Sequence, residues 1–469
     1  MLAHLEIVMW TEVEPLEFIK DYLSHLDESL KEEDPKKGLS RIQRLWLGFC
    51  LMGVLLTNSI CWAKFERLSL ASYSKQALSW MFCHSKISWD ALLQHSIRIV
   101  LRKYGVKGGY LVLDDKDISR SKNAKKIYHL HKMKDKTTGG YLWGQNIVAL
   151  YLVTSKISIP VGFSFYAPDP AQKEWREKRK ELKKKGVNKS LWPKKPEPLS
   201  DYPKKYELAV HLCKDFKRHF PEMQIKAVLA DNLYGHAPFI QGIQEVLGEI
   251  QIITKMRKNQ NIRYWKKNRS CSKHFTSYGG WEQKVKIRNR ENKTIIAGGG
   301  RLYVPSHKEK RFVIAMKYEG ENDYRYLMAT DLSWNMKEII EAFSIRWLIE
   351  VFFEDWSGYH GFCSLAKQCG KEGSLRPLTL SLLFDHCFLF HPDQLNSFKS
   401  KTPLATFGSL AEKTRASAIC YSVQKILEKD KPLEELKKLM DCLEDVYLLR
   451  ESKKHLNGTE DDFINSQAA

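Results

Sequence analysis

Three acidic residues far apart in the sequence, Asp114, Asp231 and Glu350, each lie where a catalytic carboxylate could be held. The two aspartates follow short apolar runs, residues 109–113 and 225–230, which are typical of buried strands. Glu350 lies inside a segment with strong helical patterning. Two carboxylates at adjacent strand ends, with a third from a helix packed on the sheet, would surround two divalent metal ions. Such a site performs phosphoryl transfer on nucleic acid.

Each of these acids also has a purely structural interpretation. An aspartate at the end of a strand often caps a turn. Glu350 follows Arg346 by four residues, which is the spacing of a helical ion pair. The hypothesis of a shared catalytic site therefore depends on the combination of the three acids and not on any one of them.

The charge of the chain favours a polyanionic partner. Its 469 residues include 76 Lys and Arg against 55 Asp and Glu, which gives a net charge of +21. An excess of this size favours binding of nucleic acid through the release of counterions. The alternative is a protein that is basic without such a partner. With 43% hydrophobic residues, the chain can build the cores of two or three domains.

The sequence indicates a reducing environment and no membrane insertion. Ten cysteines occur without a CxxC pair and no signal peptide is recognisable, so a cytosolic location with free thiols is expected. One apolar stretch, residues 45–63, is almost long enough to span a bilayer. Because amphipathic helical sequence flanks it on both sides and no second such stretch exists, it is predicted to be a buried core helix.

The first hundred residues are predicted to be helical, and the residues after them to form a mixed α/β layer. Two short helical segments, 69–82 and 88–104, form either a helix-turn-helix DNA reader or part of an ordinary helical bundle. Beyond residue 105, strands are predicted at 147–153 and 157–166 in addition to the two that precede the aspartates, and a helix at 202–220.

A lysine-rich insert occupies residues 173–195, between the strands that carry the two aspartates. It is predicted to be a solvated helix followed by a Pro-rich loop. Its position also allows it to track a phosphate backbone, and the sequence supports the two interpretations equally.

A further strand-rich unit is predicted before the glutamate helix. Its first loop interleaves basic and aromatic residues, among them Arg263, Trp265 and Lys266, which suits gripping phosphates and stacking on bases. The alternative is a twisted sheet with a basic rim. A last strand at 324–330 leads into a helix from 335 past 356, and the chain then stays helical to about 450. The strands of the unit are predicted at residues 251–256, 284–288, 294–297, 301–304 and 311–316.

Three segments resemble the DDE transposases of bacterial insertion sequences. LVLDDKDISRSKNAKKI is similar to the first-aspartate segment of that family, and VLADNLYG to its second-aspartate strand. YLMATDLSWNMKEIIEAFSIRWLIEVFFEDWSGYHGF is similar to the glutamate helix with the strand before it, and is the most specific of the three. The resemblance covers residues from about 105 to 390. The long interval between Asp231 and Glu350 matches the branch of the family that carries a β-strand insertion.

The resemblance implies an RNase H-like α/β fold in which Asp114, Asp231 and Glu350 hold two Mg²⁺ (or Mn²⁺) ions. It also implies cleavage of double-stranded DNA at the terminal repeats of an element and strand transfer into target DNA. A homo-oligomer on DNA and a bacterial, nucleoid-associated location are expected on the same ground. The alternative is a catalytically impaired or domesticated descendant, either a DNA-binding protein or a nuclease.

The glutamate helix of the family usually carries the pattern Y-x2-R-x3-E-x6-K, and here those positions are Phe343, Arg346, Glu350 and Ser357. The resemblance implies that Arg346 contacts a DNA phosphate beside the metals, a role that suits its fixed fork of donors. The tyrosine hydroxyl and the lysine are missing, and Lys367 is a candidate to replace the lysine.

The first-aspartate segment contains two adjacent acids, Asp114 and Asp115, which strand alternation sends to opposite faces. Asp114 is favoured because the acid of the family directly follows the apolar run. Lys116 stands where the family has threonine. Lys122 and Lys126 match basic positions of the family and are predicted to face DNA, with solvated loop lysines as the alternative.

These elements together predict five regions. They are a helical N-terminal region with possible DNA binding at 1–104, a first part of the RNase H-like core at 105–245, the β-strand insertion at 246–330, the second part of the core with the glutamate helix at 331–390, and a helical C-terminal region with a disordered tail at 391–469.

Overall fold

The computed structural model describes residues 15–69, 73–120, 126–135, 138–277, 280–288, 291–365, 368 and 370–446. The described chain forms one twelve-stranded mixed sheet with helical segments before and after it. The strands are β1 Gly108–Arg120, β2 His131–Lys134, β3 Tyr141–Val153, β4 Ser158–Tyr166, β5 Gln224–Ala230, β6 Gln251–Met256, β7 Asn261–Tyr264, β8 Lys267–Ser270, β9 Trp281–Ile287, β10 Glu291–Val304, β11 Glu309–Tyr318 and β12 Arg325–Ala329.

In the described part of the chain five α-helices precede the sheet strands, four are interleaved with them, and six follow them. In chain order they are α1 Glu17–Glu33, α2 Arg41–Thr57, α3 Trp62–Leu68, α4 Lys75–His84, α5 Trp89–Lys103, α6 Pro170–Lys184, α7 Lys205–His219, α8 Ala237–Leu247, α9 Cys271–Ser277, α10 Met336–Ser344, α11 Trp347–Tyr359, α12 Gly370–Phe388, α13 Pro392–Lys399, α14 Phe407–Leu427 and α15 Pro432–Val446.

The centre of the sheet has the strand order β4-β3-β1-β5-β6. The first three strands are antiparallel, and β5 and β6 run parallel to β1. The last four residues of β5 are buried, as expected for a parallel strand covered on both faces. Helix α7 packs on β3 and β4, and helix α11 packs on β1. This order confirms the predicted RNase H-like α/β core.

The insertion continues the same sheet. Strand β12 pairs antiparallel with β6, and β11, β10, β7 and β8 follow outward, with β9 also paired to β10. Strand β6 was predicted within the insertion that starts at residue 246, yet it pairs in parallel with β5 as the fifth strand of the core. We propose that the insertion begins after β6.

Two predicted strands, 294–297 and 301–304, are one continuous strand, β10. The prediction divided them at Gly298–Gly300, but these glycines keep their pairing to β11, with Gly298 opposite Ala315 and Gly300 opposite Val313. A Cβ at Gly299 would lie 3.0 Å from the carbonyl oxygen of Val313. The glycines therefore allow a close approach of two backbones instead of marking a turn.

The apolar stretch predicted to be a buried core helix is α2, in which every residue from Trp46 to Thr57 is buried. A capping box between Ser40 and Gln43 starts the helix, and Asn58 ends it in the left-handed conformation with φ of 44°. In the described part of the chain no single helix is long and apolar enough to cross a membrane. Helices α2 and α3 reach that length only together, and they are bent by 94° relative to each other.

The candidate helix-turn-helix corresponds to α4 and α5. Helix α5 buries nine residues and packs against α1, α12 and β4. On its outer side Arg98 and Arg102 are paired with Glu33 and Glu32 of α1. A recognition helix needs one side open to the DNA groove. The packing of α5 therefore supports the alternative prediction, an ordinary helical bundle.

The lysine-rich insert forms α6, which has a single buried residue, Gln172, and is followed by a proline-rich segment. Asp169 caps the start of the helix by accepting a hydrogen bond from the Gln172 backbone. The Trp175 indole holds the following segment through a 2.8 Å hydrogen bond to the Pro193 carbonyl. The predicted solvated helix and loop are confirmed, and contact with a phosphate backbone stays a prediction.

Candidate active site

Asp231 directly follows the last residue of β5, and Asp114 lies at the same level in the middle of β1, which continues to Arg120 instead of ending at Asp114 as the sequence predicted. Strands β1 and β5 are in register with Leu113 opposite Ala230, so Asp114 and Asp231 are the next residues on each strand. Neighbouring strands lie about 4.8 Å apart and residues in register point to the same face. The strand pairing therefore places the two carboxylates next to each other on one face of the sheet, where β5 ends.

The electrostatics of Asp114 reflect this crowding. Burial raises the pKa of the Asp114 carboxyl above its usual value, and the charges of Asp115 and Asp231 act in the same direction. The nearby guanidinium of Arg346 and the backbone N–H of Asp115 oppose the shift. Burial is the largest of these effects, and the Arg346 guanidinium offsets it only in part.

The glutamate segment forms two helices where one was predicted. Helix α10 starts with a capping box between Asn335 and Glu338 and ends at Ser344. Hydrogen bonds of the i to i+3 type then tighten the chain: Leu348 N–H donates to the Ile345 carbonyl at 3.0 Å, and Ile349 N–H to the Arg346 carbonyl at 3.2 Å. A tightened turn of this kind rotates the second helix about its axis relative to the first. It thus decides which face of α11 meets the sheet.

Aromatic packing fixes helix α11 on the sheet face that carries Asp114. Phe352 stacks on Tyr151 of β3 with ring centroids 4.9 Å apart, and Trp356 stacks on Phe352 at 5.1 Å. Tyr151 is opposite Val112, which shares a sheet face with Asp114 because strand side chains alternate. Glu350 is therefore presented to the same face as Asp114, with its side chain 44% exposed.

Arg346 joins two of the three acids. Its guanidinium Nη1 lies 2.6 Å from Oδ2 of Asp114, and Nη2 donates a hydrogen bond to Glu350 Oε1. The arginine side chain is only 6% exposed. The predicted helical ion pair between Arg346 and Glu350 is present, and the same guanidinium ties Glu350 to Asp114. The resemblance implied that Arg346 contacts a DNA phosphate. In the structure its guanidinium is paired with two carboxylates, and the phosphate contact stays a prediction.

Asp231 has a different cation beside it. Lys255 of β6 places its Nζ 3.0 Å from Asp231 Oδ1. The ammonium approaches outside hydrogen-bonding angles, so this buried oxygen has no hydrogen-bond partner in the described part of the chain. A carboxylate oxygen with an ion-pair contact and no directed donor can still serve as a ligand.

The three acids suit Mg²⁺ in the kind of donor they offer, because Mg²⁺ binds carboxylate oxygens and keeps some of its waters. Their present arrangement is not yet that of a metal site. Across the described residues no three Asp, Glu, His or Cys side chains are gathered closely enough to hold an ion. The guanidinium of Arg346 takes the space between Asp114 and Glu350. Holding an ion there requires Arg346 to withdraw.

The neighbouring acid Asp115 faces the opposite side of the sheet. Its Oδ2 accepts hydrogen bonds from Lys205 Nζ of α7 at 2.8 Å and from Asn146 Nδ2 at 3.1 Å. Asp114 alone faces Arg346 and Glu350. The geometry therefore favours Asp114 over Asp115 as the acid of the site.

The other predicted contact residues lie elsewhere. Lys126 is exposed in a turn before β2, whereas Lys122 and Lys367 lie outside the described residues. Trp265 and Lys266 form the tip of the β7–β8 hairpin, and four strands separate β7 from β5 in the sheet order. The Arg263 guanidinium lies 4.8 Å from the ring centroid of Tyr303. The strand order does not bring these residues to the carboxylates.

The sequence analysis missed Lys255 at the site and Asn146, which lies with Asp115 on the opposite face of the sheet. Lys255 lies beside Asp231 only because β6 pairs with β5, a pairing that the sequence does not display. Asn146 is only 3% exposed, and it donates hydrogen bonds to both Asp115 and Asp117. Its one sequence signal is that it directly precedes the apolar run of β3, residues 147–153.

His307, in the turn between β10 and β11, gives a testable pH dependence. Burial, with the adjacent Arg311 charge, lowers the pKa of His307 to about 4. The unfolded chain therefore binds a proton near pH 6.5 that the folded chain does not, and folding stability falls as the pH drops below 6.5. We expect this histidine to remove about 2 kcal/mol of unfolding free energy between pH 6.5 and pH 5.

Urea unfolding at several pH values checks this, with His307→Asn as the comparison. The variant should lose stability less steeply than the parent between pH 6.5 and 5, whatever its stability at pH 7. Equal slopes for the two proteins would show that His307 does not titrate in this way.

Comparison with known proteins identifies the family of the chain. The sequence pattern of the DDE superfamily endonuclease family matches residues 37–291, more than half of the chain. The match contains Asp114 and Asp231 and ends before Glu350. No curated protein matches the chain.

Proposed function

The chain belongs to the DDE superfamily endonuclease family, and we propose that it is an insertion-sequence transposase, which cleaves DNA at the ends of a mobile element and joins those ends to target DNA. The family is one of nuclease-type enzymes that act on DNA and generally use divalent metals. One observation carries the finer proposal. The register of β1 with β5 and the packing of α11 on β1 bring Asp114, Asp231 and Glu350 to one face of the sheet, and this convergence supports the proposal.

Divalent ions held by the three carboxylates would activate the attacking water or 3′-hydroxyl and stabilise the leaving oxygen. The chain contributes the positions of the ligands. Asp114 and Asp231 are fixed by a buried parallel strand pair, and Glu350 by the aromatic packing of α11. No side chain has to act as a nucleophile. The net charge of +21 favours the approach of DNA.

A second candidate function is that of a transposase-derived DNA-binding protein or nuclease with reduced catalysis. The observation that favours it is the pairing of Arg346 with both Asp114 and Glu350, which competes with metal binding. Ser357, at the position of the family lysine, donates its hydroxyl to the Phe353 carbonyl at 2.7 Å and offers no charge.

The test is cleavage of end-labelled DNA spanning the flanks of the gene, with Mg²⁺ or Mn²⁺ present. Discrete nicks at the element boundary that need the metal, and that are absent with Asp231→Asn, support the transposase. Asp215→Asn is a matched control, because Asp215 is an exposed aspartate of α7 paired with Arg218. Binding of this DNA without cleavage by the parent protein would favour the second candidate.

We propose that the β7–β8 hairpin is the part of the insertion that contacts DNA. Tyr264 pairs with Lys267, so Trp265 and Lys266 form a two-residue turn, and both have positive φ, 47° and 60°. Such a turn normally carries Asn and Gly. Trp265 is 82% exposed. An exposed tryptophan and a lysine kept in a strained turn suit stacking on a base beside a phosphate.

The double variant Trp265→Asn/Lys266→Gly separates stability from binding. Relief of the left-handed strain should raise the unfolding free energy by about 1–2 kcal/mol. Loss of the stacking ring should weaken DNA binding at least about fivefold, since stacking contributes about 1–3 kcal/mol per base. Urea unfolding and fluorescence anisotropy with labelled DNA measure the two effects. Unchanged DNA affinity in a stabilised variant would exclude the hairpin from the DNA interface.

A further inference from the structure

Helix α11 brings negative charge to the site and no cation. Its thirteen residues, Trp347–Tyr359, include Glu350, Glu354 and Asp355 and contain no lysine or arginine. Arg346, directly before the helix, is buried and engaged by Asp114 and Glu350. A DNA phosphate that approaches these carboxylates therefore needs cations from another element.

The sheet supplies one of them as Lys255. Strand β6 is in register with β5, with Thr254 opposite Ala230, so Lys255 is level with Asp231 on the neighbouring strand. Its Nζ lies 3.0 Å from Asp231 Oδ1, and its side chain remains 40% exposed. A compact ammonium on a flexible stem can turn from a carboxylate to a nearby phosphate oxygen with little rearrangement.

The second cation is Lys116 of β1. It lies two residues after Asp114, and strand alternation places both side chains on the same sheet face. Its Nζ is 5.6 Å from the ring centroid of Phe353, which follows Glu350 by nearly one turn of α11. Lys116 thus lies on the β1 side of the carboxylates, and Lys255 lies on the β6 side.

With DNA as the substrate of the proposed function, we infer that Lys255 and Lys116 bind the DNA phosphates on the two sides of the scissile phosphate. Lys255 has a second role in the absence of metal, which is to neutralise Asp231. Once a divalent ion neutralises Asp231, the Lys255 ammonium can turn to DNA. The two lysines are on strands of the core, so their spacing is fixed by the sheet.

The inference is tested by DNA binding, measured by fluorescence anisotropy over a range of salt concentrations, in EDTA and in Ca²⁺. In Ca²⁺, Lys255→Met and Lys116→Met should each reduce the slope of log affinity against log salt by about 1. Lys255→Arg should restore the slope. Lys226→Met is the matched control, because Lys226 is an exposed lysine of β5 near its other end, and it should keep the parent slope.

A double-mutant comparison in EDTA gives a readout that a purely structural ion pair would not produce. Asp231→Asn releases Lys255 and should raise metal-free DNA affinity severalfold. The same substitution in the Lys255→Met background should raise it much less, because only the loss of a repulsive charge remains. Urea unfolding of each variant verifies that it is folded.

Parent-like salt slopes for folded Lys255→Met and Lys116→Met would overturn the inference and leave these lysines as counter-charges of the carboxylates. In that case cleavage by the parent protein and its loss in Asp231→Asn would still stand, and with them the proposed function. A parent protein that binds no DNA would overturn both.

Discussion

Replacing Asp114, Asp231 or Glu350 with the corresponding amide is expected to lower the rate of DNA cleavage by about 10³-fold or more. The three carboxylates are the only charged oxygen donors that we assign to the metals, and a bound metal supplies several kcal/mol of charge stabilisation in phosphoryl transfer. At 1.36 kcal/mol per tenfold, a loss of about 4 kcal/mol gives this factor. Single-turnover cleavage of labelled DNA, with saturating protein, measures it.

Asp115→Asn is the sharpest control for that series, because Asp115 adjoins Asp114 in the chain but faces Lys205 and Asn146 on the other side of the sheet. We expect it to reduce cleavage by less than about tenfold, through indirect effects on strand β1. A large loss with Asp115→Asn and a small one with Asp114→Asn would reverse the assignment of the first acid.

Arg346→Gln is expected to lower the unfolding free energy in EDTA by about 2–3 kcal/mol. Removing one partner of a buried ion pair costs about 3–5 kcal/mol, and the value is reduced here because Glu350 is 44% exposed and screened by solvent. The substitution leaves Asp114 and Glu350 without their shared cation. Excess Mg²⁺ should then stabilise the variant more than the parent protein, since the ion no longer competes with the guanidinium.

Urea unfolding with and without Mg²⁺ measures both effects. Arg102→Gln is the control, since Arg102 and its partner Glu32 are both more than half exposed and the pair should contribute less than about 1 kcal/mol. An equal Mg²⁺ effect on Arg346→Gln and on the parent protein would show that the arginine does not compete for the metal position.

The sequence was sufficient to predict the strands that carry the aspartates, because a short apolar run that ends in an acid is a local pattern. It was also sufficient for the helical setting of Glu350 and for the buried helix α2. These features depend on residues close together in the chain, so periodicity and capping residues reveal them.

Other features depend on contacts between distant residues. Lys255 lies beside Asp231 because two strands pair in one register, and a shift of one residue would have turned it to the other face. The continuity of β10 across three glycines depends on its partner β11. The spacing of Arg346 and Glu350 indicated their ion pair, but the contact of Arg346 with Asp114 exists only because α11 packs on β1.

The break between α10 and α11 is another feature that the local sequence does not predict. Residues 335–356 have an unbroken helical pattern and no proline or glycine. Both residues at the junction keep right-handed helical angles, and only the hydrogen bonds shorten to the i to i+3 type. The change in hydrogen bonding is accompanied by the aromatic packing of Phe352 and Trp356 on the sheet. This is a tertiary contact that the residues at the junction do not predict.

The most direct test of the central claim, that these carboxylates bind the catalytic metal, replaces Asp231 with cysteine. Thiolate binds softer metals in preference to Mg²⁺. We predict that Asp231→Cys loses DNA cleavage with Mg²⁺ and recovers a measurable part of it with Mn²⁺ or Cd²⁺, while Asp231→Ala recovers none. Cleavage by Asp231→Cys at the parent rate with Mg²⁺ would contradict the claim that Asp231 is a metal ligand.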